Sequence, residues 1–180
     1  MKKMRCIHPR KVEKIMKEFL SAASDLEYSD DDGNMLKRTP VVGKGSCFEA
    51  MVGDDCADAP IFVIHYCFDH LMFSGGTKQF RKDFINRCPM GRGFATITMS
   101  LLHELGHFET EWYDFEDYDR EAEIERILTL PRGQKNWEYF KLPDEYAATE
   151  WAIEWLAKKE NRILAKNFER EFFKCFSTLH

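Results

Sequence analysis

Phe94-Ala95-Thr96-Ile97-Thr98-Met99-Ser100-Leu101-Leu102-His103-Glu104-Leu105-Gly106-His107-Phe108 is the stretch around which the rest of the chain is read. At about 100° per residue, Phe94, Ile97, Leu101, Leu105 and Phe108 form one narrow apolar stripe, which predicts a helix over 94–108. Pro89, Gly91 and Gly93 punctuate the chain before it. His103 and His107 fall on the opposite side with Thr96 and Ser100. The helix is therefore expected to bury one face in a core and turn the other toward a cleft. Gly106 in mid-helix costs about 1 kcal/mol relative to Ala. Close approach of another backbone is the expected compensation.

Within that helix, His103-Glu104-Leu105-Gly106-His107 is an instance of H-E-x-x-H. The four-residue step places both imidazoles on one face, near enough to share a zinc ion. Glu104 lies about one-third of a turn away, where it can act on a zinc-bound water without ligating the metal. A chain of this composition would contain the pattern by chance in roughly 2 of 100 cases. Accident is therefore a weak competitor.

The composition fits a single domain spanning residues 1–180: 21.3 kDa, 44% hydrophobic and 14% aromatic residues are enough for a real core. The net charge is -5, and no run of Lys or Arg stands out, so nucleic acid is not expected as a partner. The basic start MKKMRCIHPRK is not followed by an apolar run, so no signal peptide is expected, and no stretch approaches the length of a membrane span. The six Cys contain no C-x-x-C pair, which suits free thiols in a reducing cytoplasm.

Val12, Ile15, Met16, Phe19 and Leu20 predict a helix over about 9–26. Ser29 to Asn34 is a polar breaker that lacks the ligand spacing of a calcium loop. From about 40 to 90 a small sheet is expected. Its strands are Ser46–Val52 and Ile61–Cys67, with a third piece near 71–73 or 84–86 and a turn at Gly75-Gly76. The acidic, aromatic stretch 109–121 reads as a solvated connector or as a rim attracting basic substrate segments. A helix over about 119–129, with Ile124, Ile127 and Leu128 inside, is expected to end at Pro131-Arg132-Gly133. A long helix starts at Pro143. A last helix carries Ile163, Leu164, Phe168, Phe172, Phe173 and Phe176.

A catalytic zinc site needs a third protein ligand. The extended pattern with a further His fails, because Thr110 and Tyr113 occupy its Gly and His positions. The alternative is a downstream carboxylate: Glu121, Glu123, Glu125, Glu138, Glu145, Glu150 or Glu154. Helical phase separates the last three. Ala148, Ala152, Trp155 and Leu156 lie within about 80° of Glu145, whereas Glu150 and Glu154 lie near 140° and 180°. A carboxylate centred on an apolar face needs a partner, and zinc is one. Glu145 is thus the expected ligand, with Glu150 next. The plainer reading is that Glu145 only complements the helix dipole.

His103, Glu104 and His107, followed by Glu145-Tyr146-Ala147-Ala148-Thr149-Glu150-Trp151-Ala152, resemble the ImmA/IrrE type of zincin-like metallopeptidase. That family carries HELGH and a later E-x-x-A-x-x-F-A-type helix. Here Trp151 stands for the Phe, Phe108 to Glu111 replace a frequent further His, and Trp155 to Lys158 replace a Leu-Leu-Met-Pro-like ending. The resemblance implies an α+β, zincin-like fold: an N-terminal helix, a small twisted, mostly antiparallel sheet, the H-E-x-x-H helix and C-terminal helices. It also implies Glu145 as the residue completing a zinc site. The implied activity is an intracellular regulatory protease acting on a repressor-like protein of a phage or mobile element.

The expected chemistry is peptide hydrolysis: His103, His107 and Glu145 hold zinc, and Glu104 shuttles a proton from water to the leaving amine. Tyr113, Tyr146, His65 and His70 are chemically suited to stabilise an oxyanion. A strand within 46–67 could align substrate by edge pairing. Two rival readings stay open. One is a non-catalytic zincin-fold binding module using 109–121 as its contact surface. The other is a structural core in which HELGH arose by accident.

Overall fold

A computed structural model describes residues 4–6, 8–29, 32–45, 49–53, 61–66, 87, 96–110 and 118–178. Within these the fold is α+β, with six helices and a small mixed sheet. The expected extended piece near 71–73 or 84–86, the Gly75-Gly76 turn, the Pro89 to Gly93 punctuation and most of the acidic stretch lie outside the described residues.

Helix α1 (Pro9–Ala23) begins with Pro at its first position, where no backbone N–H is needed. Val12, Met16, Phe19, Leu20 and Ala23 form its buried face. It ends three residues earlier than expected. Ser24 turns extended, and its hydroxyl accepts from Leu26 N at 3.1 Å while donating to Glu109 Oε1 at 3.0 Å. This local side-chain bonding competes with helix continuation.

Strands β2 (Glu27–Ser29) and β3 (Met35–Lys37) then pair antiparallel, with Gly33 at φ 80° in the connection. Residues 32–34 of the polar breaker lie in that connection, and Ser29 closes β2. Glycine suits this left-handed backbone because it carries no Cβ.

Strands β4 (Val41–Lys44), β5 (Glu49–Gly53) and β6 (Ile61–Tyr66) form a sheet in the order β4-β6-β5. β5 and β6 are antiparallel, as a hairpin requires, but β4 runs parallel to β6. The sheet is mixed, not mostly antiparallel. β5 follows β4 in sequence but pairs with the far side of β6, which leaves β4 beside a strand that runs its own way. That order is invisible in the hydrophobic pattern of any one strand. Phe62, Ile64 and Tyr66 of β6 alternate inward, as a half-covered strand should. A further pair, β1 (Met4–Cys6) with β7 (Phe176–Thr178), joins the two ends of the described chain.

Helix α2 (Thr96–Glu109) is the H-E-x-x-H helix. Every residue from Ile97 to Phe108 is buried. The expectation that its histidine side would face a cleft is corrected: a later helix covers that side. Phe108 meets Phe62 of the sheet with ring centres 4.8 Å apart.

Helix α3 (Arg120–Thr129) is N-capped by Asp119, whose carboxylate accepts from Ala122 N at 2.9 Å. Ile127 is buried and Ile124 half-buried, but Leu128 is exposed, contrary to expectation. Leu130 is extended ahead of Pro131, which stops α3 as expected. The chain restarts at once as α4 (Arg132–Tyr139), in a segment to which the sequence pattern assigns no element.

Helices α5 (Pro143–Ala157) and α6 (Lys159–Phe173) are separated by extended Lys158. Asn161 and Arg162 donate back to the free carbonyls of Trp155, Leu156 and Ala157, which secures the end of α5. Phe176 belongs to β7 and not to the last helix, because α6 stops at Phe173.

Phe19 stacks on Phe168 at 4.3 Å and meets Trp155 edge-on at 5.9 Å, which binds α1 to α5 and α6. Among the described residues, no helix is long and apolar enough to cross a membrane.

Candidate metal centre

Gly106 decides how closely α2 and α5 approach. A Cβ added there would lie 2.5 Å from the Ala148 carbonyl oxygen and 3.0 Å from its Cα. The missing side chain lets the two backbones touch, as the mid-helix glycine suggested. This contact brings the first two turns of α5 against the histidine face of α2.

Three donors converge there. Nε2 of His103 lies 3.0 Å from Oε2 of Glu145, and Nε2 of His107 lies 3.8 Å from the same oxygen. All three ligand atoms fall within 4.8 Å of one another. Donors roughly 2 Å from a common ion stand roughly 3.3 Å apart in a tetrahedron, so this spacing suits a metal. The three residues are buried, with His103 4%, His107 6% and Glu145 3% exposed. The group can hold a metal ion.

Hydrogen bonding adds a test of that fit. Thr149 donates its hydroxyl proton to the Glu145 carbonyl at 2.9 Å, so its oxygen accepts from His103 Nδ1–H at 3.2 Å. With the ring proton on Nδ1, neutral His103 turns an Nε2 lone pair toward a carboxylate oxygen. Two acceptors in that position require a cation between or upon them, either a proton or a metal ion. Fixing the ring from its other nitrogen is also how metal-bound imidazoles are commonly oriented.

The charges follow from burial and proximity. Burial works to lower the pKa of His103, but the hydrogen bond and negative charge of Glu145 outweigh it and hold the ring above its ordinary value. Burial, then the charge of His103, push His107 down to about 3. Burial alone would raise Glu145, yet the hydrogen bond and charge of His103 hold it well below the usual carboxylate range. Glu104 behaves differently. Burial lifts it to about 7 against the pull of His103, and the negative charge of Glu145 adds to the rise. Its carboxylate also accepts from Ala50 N of β5.

The sequence candidates separate clearly. His103, His107 and Glu145 come together, with Glu104 beside them on α2. Glu150 does not join them; it pairs with Arg87 instead. His65 lies on β6 against Glu49, 3.8 Å away across the strands. Tyr146 is 53% exposed. Tyr113 and His70 lie outside the described residues.

Four residues at the site were not anticipated. Thr149 is one helical turn after Glu145 and could have been found by phase. Asp144 precedes Glu145 directly. Tyr139 sits on the unread helix α4, and Arg120, at the start of α3, carries no local signal. Arg120 Nε donates to Asp144 Oδ2 at 2.7 Å, and its Nη2 donates to Glu145 Oε1 at 3.0 Å and to Tyr139 Oη at 3.1 Å.

No family model, curated protein or solved structure matches this chain.

Proposed function

We propose that the protein is a zinc-dependent metallopeptidase with a zincin-like fold, cutting peptide bonds of a cytoplasmic protein. The observation that carries this reading is the convergence of His103, His107 and Glu145 beside the buried carboxyl of Glu104.

His103, His107 and Glu145 would hold the ion, and two imidazoles with one carboxylate are a donor set that suits zinc. A zinc ion there would supply Lewis acidity toward a scissile carbonyl and toward water. Glu104 takes the proton of the attacking water and returns it to the leaving amine. Glu104 is the buried carboxyl next to the donor group on α2, which puts a proton carrier within reach of a water at the ion. Low water access around the site strengthens each of these charges. The sequence resemblance supports a repressor-like substrate from a phage or mobile element.

Purified protein is expected to hold about one zinc per chain. Glu104→Gln should keep that zinc and lose cleavage of a protein or peptide library. Cleavage that persists in this variant rules out Glu104 as the base. Full zinc loading with no cleavage by the wild type favours a non-catalytic binding module.

A further inference from the structure

The two oxygens of the Glu145 carboxylate have different surroundings. Oε2 faces the histidines, 3.0 Å from His103 Nε2 and 3.8 Å from His107 Nε2. Oε1 faces away and accepts from Arg120 Nη2 at 3.0 Å. Arg120 is itself held at a second edge, because its Nε donates to Oδ2 of Asp144 at 2.7 Å. Asp144 is completely buried.

A guanidinium is a rigid planar fork, so fixing Nε also fixes Nη2. Nη2 cannot follow Glu145 if the carboxylate rotates. A rotation that turned both oxygens toward the histidines would strip Oε1 from Arg120 and leave Nη2, a half-buried charged donor, with Tyr139 Oη alone, which is unfavourable. Oε1 is therefore committed, and Oε2 alone remains for an ion.

The geometry points to Arg120 as a positioning residue: it pins Oε1 of Glu145, so that an ion held by His103 and His107 receives one carboxylate oxygen and keeps a coordination position open. This rests on the metal reading of the site. An open position separates a catalytic metal site from a closed structural one. Arg120 thereby links the start of α3 to the chemistry on α2 and α5 without touching the ion.

The test uses the full chain loaded with cobalt(II), whose visible absorption weakens as coordination number rises, together with zinc competition against a chelator. Wild type is expected to give an intense four-coordinate band. In Arg120→Met the Glu145 carboxylate keeps only its hydrogen bond from Tyr139 on that side and can offer its second oxygen, so the band should fall by roughly twofold or more as the site expands. Zinc affinity should drop by roughly 10- to 100-fold, the usual effect of losing an outer-shell partner. Arg120→Lys keeps the charge but not the fork, so its band should stay low; it also decides the matter if the Met variant does not fold. Wild-type band and affinity in the variants overturn the role of Arg120 while leaving the metal site standing. Failure of the wild type to take up cobalt or zinc overturns both.

Discussion

Gly106 and Ala148 meet backbone to backbone, since a Cβ on Gly106 would stand 2.5 Å from the Ala148 carbonyl oxygen. His107 follows Gly106 directly, and Glu145 lies one turn before Ala148. The contact thus sets the distance between two of the three candidate ligands. On helix propensity alone, Gly106→Ala would stabilise α2 by about 1 kcal/mol. The colliding atoms are main chain and cannot swing aside, so the helices must separate. A net loss of about 1–3 kcal/mol is expected, as for other overpacked cores. Urea unfolding and zinc affinity should both fall. A variant more stable than wild type, with unchanged affinity, would show that the close approach is dispensable.

Ligand assignment can be tested by contrast. His107→Ala and Glu145→Gln each remove one donor from the group, and zinc affinity should drop by at least roughly 100-fold, more than loss of an outer-shell contact produces. Glu150→Gln removes a carboxylate five residues later on the same helix, but one engaged with Arg87. Its zinc affinity should stay within roughly twofold, since a partly exposed ion pair contributes little. Calorimetric titration of the three variants decides between Glu145 and Glu150. Loss of binding in Glu150→Gln, with binding kept in Glu145→Gln, would reverse the assignment.

A third prediction concerns the core away from the site. Trp155 donates its indole N–H to the Ala23 carbonyl at 3.1 Å, satisfying a group at the open end of α1, and packs edge-on against Phe19. Trp155→Phe keeps most of the ring area and removes the hydrogen bond. A buried acceptor left without its donor costs about 1–3 kcal/mol. Denaturant unfolding should register that loss while zinc affinity is unchanged. An unchanged unfolding midpoint would mean that water replaces the indole.

Much of this was legible because it depends on local periodicity. The stripe on α2 placed His103 and His107 one turn apart. The phase of α5 put Glu145 on the same face as Ala148 and Ala152, which is the face that meets α2. The glycine in HELGH signalled a close neighbour. What was not legible depends on pairing between distant segments. The parallel pairing of β4 with β6 skips β5, and β1 with β7 joins segments from opposite ends of the chain. Helix α4 was missed because Pro131 and Gly133 read as a terminator, although Pro131 also accepts the first hydrogen bonds of a new helix, from Gln134 and Lys135. Arg120 was missed for a related reason: its partners Asp144 and Glu145 are 24 and 25 residues away, and no spacing rule connects them.

Glu104 joins stability to the proposed chemistry. Its carboxyl is raised from 4.5 to about 7 in the folded protein, mainly by burial. Between those values the folded chain binds more protons at this group than the unfolded chain does. Stability contributed by Glu104 is therefore present below about pH 4.5 and is lost as pH rises through about 7. Above that, an ionised Glu104 destabilises the metal-free fold by about 3 kcal/mol, an order-of-magnitude figure from the size of the shift. Gln resembles the protonated form and cannot ionise. Metal-free Glu104→Gln should therefore exceed wild type by up to about 3 kcal/mol near pH 8 and match it near pH 4. Urea unfolding of chelator-treated protein at the two pH values measures this. The same variant should cut peptides slower by a factor of roughly 10²–10⁴, the usual contribution of a positioned proton carrier. Equal stability of the two proteins near pH 8 would mean that burial does not raise the Glu104 carboxyl in the metal-free fold.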